Sequence, residues 1–179
     1  MKRVLAILGS AGTNSANRIL LERIADLAGP QLEISIFDGL KQLPHFDPDQ
    51  STDNPPEAIA DLRKRIADAA AVLICTPEYV FSIPSGLKNA IEWCVATTVF
   101  SDKPVGLITA SADGEKGHAE LQLIMRTLYA KVTDEATLLI RAPKGKVDSQ
   151  GGIDSQTEAS LRRFVVALTT LVQESPTPS

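Results

Sequence analysis

The sequence predicts a three-layer α/β fold in which a five-stranded parallel sheet carries helices on both faces. Segments with a strand pattern alternate with segments with a helix pattern along the 179 residues, which is typical of this class. Two strand segments are continuous apolar runs, as expected of strands covered on both faces. Another strand segment alternates apolar and polar residues, so we place it at an edge of the sheet.

Three strands are predicted in the first half of the chain. Val4–Leu8 and Ala70–Cys75 are the continuous runs, and Leu32–Phe37 is the alternating segment. An edge position for the second strand fits the order 2-1-3-4-5, in which the first crossover leaves strand 1 in one direction and the next leaves it in the other. Ligands of such sheets bind beyond the carboxyl ends of the strands, where that direction reverses.

The connections of the first half are two helices and a long loop. Apolar residues at helical spacing predict a helix over Ala16–Ala28. Residues 38–55 are polar and rich in Pro and Asp, and a loop of this length in a compact domain is typically functional or mobile. Asn54, followed by two prolines and Glu57, is the expected N-cap of a helix over Pro55–Asp68.

The second half predicts two more strands and three more helices. The strands are Val105–Ala110 and Ala136–Ile140. We expect residues 1–174 to form one domain and residues 175–179 to be a frayed tail. The inward-facing residues of the helices are Leu87, Ala90, Ile91, Cys94 and Val95; Leu121, Ile124, Met125 and Leu128; and Leu161, Phe164, Val165, Leu168, Leu171 and Val172.

Composition narrows the function class. Lys plus Arg number 18 against 22 Asp plus Glu, a net charge of −4, which argues against nucleic-acid and anionic-membrane partners. No apolar run is long enough to span a membrane, and the run after residue 3 is too short for a signal peptide. Cys75 and Cys94 stand in apolar surroundings, so a disulfide framework is not expected and a reducing cytoplasm is the natural compartment.

The loop after the first strand has the chemistry of a phosphate site. Residues 9–17 read GSAGTNSAN, with glycines, hydroxyls and amides leading into a helix N-terminus, whose N–H groups and dipole favour anions. The alternative is a plain capped helix start, with Asn14 or Ser15 as N-cap. The loop matches neither the P-loop nor the G-x-G-x-x-G dinucleotide motif.

The loop after the third strand, Thr76–Pro84, would meet the first loop at the same edge. It contains Tyr79, Phe81 and two prolines, and prolines restrict the backbone. Such a loop suits an apolar wall beside a flat heteroaromatic ring. The alternative is an interface loop with buried aromatic side chains.

Other reaction classes lack their residues. A Cys-centred phosphatase needs an Arg shortly after its Cys, and none follows Cys75. No spacing of His, Asp and Cys predicts a metal site, and no G-x-S-x-G elbow predicts a hydrolase. His118 follows a loop at the same sheet edge, either touching a ligand or, as is commoner at a helix start, facing solvent.

Two motifs carry a resemblance to a known family. The string TPEYVFSIPSGLKNAIEW at residues 76–93 is similar to the signature of the NADPH-dependent FMN reductase family of flavodoxin-like proteins, which includes quinone, chromate and azo-dye reductases. Gly9-Ser10 with Ser15 and Asn17 resembles the phosphate loop of that family, G-S-x-R-x-x-S-x-N. The likeness covers nearly the whole chain.

The resemblance implies an FMN site formed by the loops after strands one, three and four. In it, Ser10, Ser15 and Asn17 would hold the phosphate together with backbone N–H groups. The full implied set is Ser10, Gly12, Thr13, Asn14, Ser15 and Asn17 at the phosphate; Pro77, Glu78, Tyr79 and Val80 beside the ring; and Ser111, Ala112, Asp113 and Gly114 at its polar edge.

The resemblance also implies the activity, the transfer of a hydride from NADPH or NADH through FMN to a small acceptor such as a quinone, flavin, azo compound or chromate. The flavin N5 carries the chemistry, so no catalytic side chain is required. A homodimer or homotetramer through the Ser85–Trp93 helix region is implied too. Trp93 is either core or part of that interface, and the interface is favoured here.

Two departures from the family pattern support a rival interpretation. The arginine of the phosphate loop is Gly12 here, so one charge-assisted hydrogen bond, worth about 1.5–3 kcal/mol, is missing. We expect FMN to bind roughly tenfold to a hundredfold more weakly as a result unless another group compensates. The usual Asn after Pro-Glu-Tyr is Val80. The rival is a flavodoxin-like binding or interaction module that has lost efficient use of the flavin.

Overall fold

A computed structural model of the chain describes residues 1–10, 12, 15–147 and 152–175. The described strands form a parallel sheet of order β2-β1-β3-β4-β5, which confirms the predicted order. Because Leu8 pairs with Cys75, β1 and β3 end side by side and the loops that follow them are neighbours. The strands are β1 (Lys2–Leu8), β2 (Leu32–Phe37), β3 (Ala71–Thr76), β4 (Val105–Ser111) and β5 (Thr137–Arg141).

The described helices form a layer on each face of the sheet. Apolar side chains of α1 and α6 pack with Val4, Ala6 and Leu8 of β1 in one core cluster. Those of α3, α4 and α5 pack with Leu5 and Ile7 in the other cluster. The alternation along β1 is the period of a strand whose two faces are both covered. The helices are α1 (Ala16–Ala28), α2 (Pro48–Ser51), α3 (Glu57–Asp68), α4 (Ser85–Glu92), α5 (Glu115–Thr127) and α6 (Ser155–Glu174).

Three element ends differ from the expectation. α3 begins at Glu57 with Pro56 at its N-cap and no side-chain cap, so the Asn54 cap was wrong; a residue before proline is held extended, and two consecutive prolines separate Asn54 from the helix. Val95 is 60% exposed because α4 ends before it. Ser175 closes α6 with its hydroxyl on the Leu171 carbonyl, 2.9 Å away; the rest of the expected tail lies outside the described residues.

The long loop after β2 is fastened to α4. It contains a 3-10 turn at Gly39–Gln42 as well as α2. The Asn89 side chain accepts a hydrogen bond from Phe46 N at 2.7 Å and donates one to the Pro44 carbonyl at 2.9 Å. Trp93 Nε1 donates to the same carbonyl at 2.9 Å, and the edge of the Phe46 ring meets the Trp93 ring with centroids 5.3 Å apart. Residues 44–46 are therefore part of the packed structure.

Trp93 is a core residue. Its side chain is 0% exposed within a single chain, so the expectation that it lies at a subunit interface was wrong. The long loop covers the indole, and this cover could not be inferred from the helix pattern alone. Lys88 and Glu92, the other pair considered for an interface, form an ordinary ion pair four residues apart, with Nζ and Oε1 separated by 2.7 Å.

Candidate functional site

The first loop leaves β1 pressed directly against β3. Gly9 N donates a hydrogen bond to the Cys75 carbonyl at 2.8 Å. A Cβ atom placed on Gly9 would lie 2.3 Å from Thr76 Oγ1 and 3.1 Å from Thr76 Cα. No side chain fits there, so this glycine sets how closely the loop approaches the neighbouring strand.

The described part of the first loop gathers hydroxyl groups at the start of α1. Ser15 caps the helix, since its Oγ accepts from Arg18 N at 3.3 Å. Ser10 Oγ lies 2.6 Å from Ser15 Oγ. The first turns of α1 and α4 contain no acidic residue, whereas those of α3, α5 and α6 each contain a glutamate. The positive end of α1 therefore has no carboxylate of its own, and this donor set suits a phosphate.

The Asn17 side chain forms hydrogen bonds inside the protein. Its side chain is 4% exposed; Nδ2 donates to the Ala110 carbonyl at 3.2 Å, and Oδ1 accepts from the Cys75 thiol at 3.3 Å. Burial raises the pKa of Cys75, which keeps the thiol protonated as this bond requires. The Asn17 amide thus ties α1 to β3 and β4, and its backbone N–H and the second N–H of Nδ2 remain to serve a ligand.

Glu78 joins the second and third site loops. Its Oε2 accepts from Gly117 N at 2.6 Å, in the first turn of α5, and its carbonyl accepts from Ser111 Oγ at 3.2 Å. The carboxylate is favourably placed at the positive end of α5. At the other end of the second loop, Ser82 Oγ and Ile83 N donate to Oε2 of Glu120 on α5, at 2.7 and 3.0 Å. Both ends of the second loop are therefore held by α5.

Between those two attachments the chain makes a tight two-residue turn. Tyr79 and Ser82 exchange backbone hydrogen bonds of 2.9 and 3.0 Å, and Val80 and Phe81 have φ angles of 52° and 59°. Positive φ at both central positions is the type I′ hairpin geometry. Val80 is 95% and Phe81 72% exposed, so neither side chain is covered within a single chain, and the ring-wall prediction and the interface-loop alternative both remain open.

Replacing Val80 with asparagine should raise the free energy of unfolding by about 1 kcal/mol. A β-branched residue is strained in the left-handed region, where asparagine is tolerated. The measurement is urea unfolding of the wild type and of Val80→Asn. The control is Val95→Asn, since Val95 is also exposed but is not among the residues with positive φ. Equal changes in both variants would contradict the strain at Val80.

His118 faces the sheet, contrary to the solvent-facing position expected of a helix-start histidine. Its Nδ1 lies 2.9 Å from Thr109 Oγ1 of β4. Burial lowers the pKa of His118, so the ring is held neutral near pH 7. The sequence pattern missed this because His118 lies on the inward side of the first turn of α5.

Two clefts flank the first loop, and the predicted residues are divided between them. A cleft of about 860 Å³ includes Ser10, Gly12 and Tyr79 in its lining, together with the long loop and α4. The other, of about 1200 Å³, lies between α1 and the loop after β5. Its lining includes Ser15, Asn17, Pro77, Ser111 and Ala112.

Not every predicted residue reaches a cleft. Among the described residues, Glu78, Val80, Asp113 and Gly114 are outside both linings. The Asp113 carboxylate lies 3.5 Å from Arg141 Nε. The predictions for Thr13 and Asn14 fall outside the described residues.

Arg18 lies at these clefts, although the sequence motifs did not indicate it as a site residue. It is in the lining of both clefts. Its signal in the sequence is a cation in the first turn of a helix that has no acid there, where the helix dipole disfavours positive charge.

Neither a membrane span nor a metal cluster emerges within the described ranges. Each helix there is too short or too polar to cross a bilayer. Among the described residues, no three His, Cys, Asp or Glu side chains are placed so that they could hold a metal ion together.

Comparisons with known proteins agree on one family. The model of the family described as "NADPH-dependent FMN reductase" matches residues 2–142. The chain is 31% identical to a quinone reductase of Escherichia coli K12 over 180 residues, covering 96% of this chain and 95% of that protein. It is 30% identical to an NAD(P)H-dependent FMN reductase of Pseudomonas aeruginosa over 173 residues, covering 93% and 92%.

A solved structure gives the same assignment for the fold. FerB, a flavoenzyme NAD(P)H:(acceptor) oxidoreductase of Paracoccus denitrificans, superposes with a TM-score of 0.80. It is 26% identical, and the match covers 98% of this chain and 99% of that one. The described sheet and helices thus have the same arrangement as an entire flavoenzyme.

Proposed function

The chain belongs to the NADPH-dependent FMN reductase family, and on that premise we propose that it transfers a hydride from NADPH or NADH through bound FMN to a small acceptor. The observation that carries the proposal is the start of α1, where two serine hydroxyls 2.6 Å apart meet a helix end without a carboxylate. Quinones are the acceptor class best supported, because the similar protein of Escherichia coli is named a quinone reductase.

The residues present fit FMN, and each has a task in binding it. Ser10, Ser15 and the N–H groups at the start of α1 would hold the phosphate. Pro77 and the Ser111–Ala112 segment would border the ring, and Tyr79 would offer an apolar surface next to it. When bound, FMN supplies the hydride chemistry at N5, so the chain's own work is to bind and orient the reactants and to exclude water.

No side chain is proposed as an acid, base or nucleophile. Cys75 and Cys94 are buried, and burial raises the pKa of both thiols, that of Cys94 to about 12. Because the thiolate is the reactive form, neither is available for chemistry near neutral pH. Hydrogen-bond donors at the ring edge suffice to stabilise the negative charge that the ring gains on reduction.

We also propose that residues 1–174 act as a single FMN-binding domain and that the protein works in the cytoplasm as a homodimer or homotetramer. The two unpaired cysteines support a reducing compartment. The exposed turn at Val80 and Phe81, beside the Ser85–Trp93 region, is an apolar surface of the kind that subunit contacts cover. Analytical ultracentrifugation would give the mass of the assembly, and a monomer at micromolar concentration would reject that part.

The test of the function is direct. Purified protein should be yellow or take up FMN, lose its colour anaerobically with NADPH, and regain it when a quinone is added. Ser10→Ala should weaken FMN roughly tenfold, because it removes a hydrogen bond to a charged group. Ser160→Ala, which removes an exposed hydroxyl bonded to the Gln156 carbonyl on α6, is the control.

The rival interpretation predicts a different result. A binding module without efficient flavin use, suggested by the glycine at position 12, would oxidise NADPH only at the background rate even with saturating FMN. A folded, colourless protein that ignores added FMN would reject the oxidoreductase proposal outright.

A further inference from the structure

The described part of the first loop provides no cation for a phosphate. Residues 9, 10, 12 and 15–17 carry no basic side chain, and a phosphate monoester carries about −1.5 to −2 charges near pH 7. Among the described residues, nothing lies within 4 Å of a Cβ placed on Gly12. The place of the usual arginine is therefore open space, and a charge must come from elsewhere if FMN is held by its phosphate.

Arg18 is the basic residue common to the two clefts that flank this loop. It is the third residue of α1, and its backbone N–H bonds the cap residue Ser15. Its side chain is 28% exposed, so it lies along the rim instead of extending into solvent. A cation at this end of a helix is unfavourable for the helix alone, which makes an anionic ligand the natural complement.

The guanidinium is held in place but not saturated. Its Nη2 lies 2.5 Å from Asp38 Oδ2, and its Nη1 approaches Glu22 Oε1 only to 4.0 Å. A guanidinium has five N–H donors, and among the described residues one hydrogen bond, to Asp38, is formed. Asp38 directly follows β2 at the sheet edge, so this bond fixes the side chain beside the loop while leaving donors for a planar or tetrahedral oxyanion.

We propose that Arg18 binds the phosphate of FMN in place of the arginine missing at position 12. The inference rests on the proposed FMN function and goes beyond it in one respect: it names the charge by which this chain discriminates a phosphorylated flavin from riboflavin. Asp38 serves as the residue that keeps the guanidinium at the rim.

The experiment compares two flavins on the same apoprotein. FMN and riboflavin are each titrated into wild type, Arg18→Gln and Arg23→Gln, following the quenching of flavin fluorescence. Arg18→Gln should raise the Kd of FMN roughly tenfold to a hundredfold, the loss of one charge-assisted pair, and leave that of riboflavin within twofold. Arg23, which lies on the same helix but pairs with Glu158 of α6, provides the control, and its replacement should change neither Kd. Thermal unfolding of each apoprotein verifies that the variants fold.

A second measurement uses the open space at position 12. Gly12→Arg added to Arg18→Gln should restore at least tenfold of the lost FMN affinity, since the new guanidinium replaces the old one. An unchanged FMN Kd in Arg18→Gln, or an equal loss for riboflavin, would overturn the role of Arg18 while the FMN function stands. A wild type that binds neither flavin would overturn both.

Discussion

Gly9→Ala should lower the free energy of unfolding by about 1–3 kcal/mol or more, the usual range for an overpacked site. The added methyl carbon would lie 2.3 Å from Thr76 Oγ1 and 2.5 Å from Thr76 Cβ. Thr76 is fully buried in β3, with its hydroxyl bonded to the Pro77 carbonyl. Neither atom can move aside without shifting the strand or the second loop.

The same substitution should weaken FMN binding at least tenfold, because pushing the first loop away from β3 displaces Ser10 from Ser15. Gly12→Ala is the matched control: it adds a methyl group to the same loop where the described residues leave 4 Å free. Urea unfolding followed by the fluorescence of the sole tryptophan and a flavin titration measure the two effects. Identical behaviour of the two variants would show that the loop does not depend on this close approach.

Trp93→Ala should lower the free energy of unfolding by about 3–5 kcal/mol, the range for deleting a large buried ring. The ring is fully buried, meets the edge of Phe46 and donates to the Pro44 carbonyl. Trp93→Phe keeps most of the packing but leaves that carbonyl with one donor fewer, so we expect a loss of only about 1 kcal/mol. The measurement is urea unfolding by circular dichroism, since both variants lack the fluorescent reporter.

Loss of the indole should also free the long loop. Limited proteolysis of the native proteins should cut Trp93→Ala near residues 44–46 well before the wild type. Tyr129→Ala removes an aromatic ring that is 78% exposed and should leave both stability and cleavage unchanged. If Trp93→Ala were no less stable than Tyr129→Ala, the contacts of Trp93 with Pro44 and Phe46 would not hold the long loop in place.

The sheet could be predicted because its strands carry the information locally. A strand covered on both faces is expected to be apolar, as β3 is from Ala71 to Cys75, and the alternation of Leu32–Phe37 is typical of a strand with one face in water. Those two facts fit the order 2-1-3-4-5, which the structure confirms. The positions of the two loops at the β1 and β3 ends then follow from topology.

The roles of individual side chains were not accessible in the same way. The sequence pattern predicts the element to which a residue belongs, but not the residue that it contacts on another element. This is the case for Asn17, Glu78 and Trp93. Asn17 bonds a carbonyl 93 residues away and Glu78 bonds an amide 39 residues away. Such contacts depend on the assembled layers. Arg18 alone left a local signal, the cation in an acid-free first turn.

The depth of the two cysteines has a consequence for a protein that handles electrophiles. Quinones arylate proteins by conjugate addition, and the attacking species is a thiolate. Cys75 and Cys94 are 0% and 1% exposed and burial holds them as thiols, so the chain would offer the quinones of the proposed reaction no thiolate to alkylate. Neither cysteine would then be consumed by the acceptor of the proposed reaction.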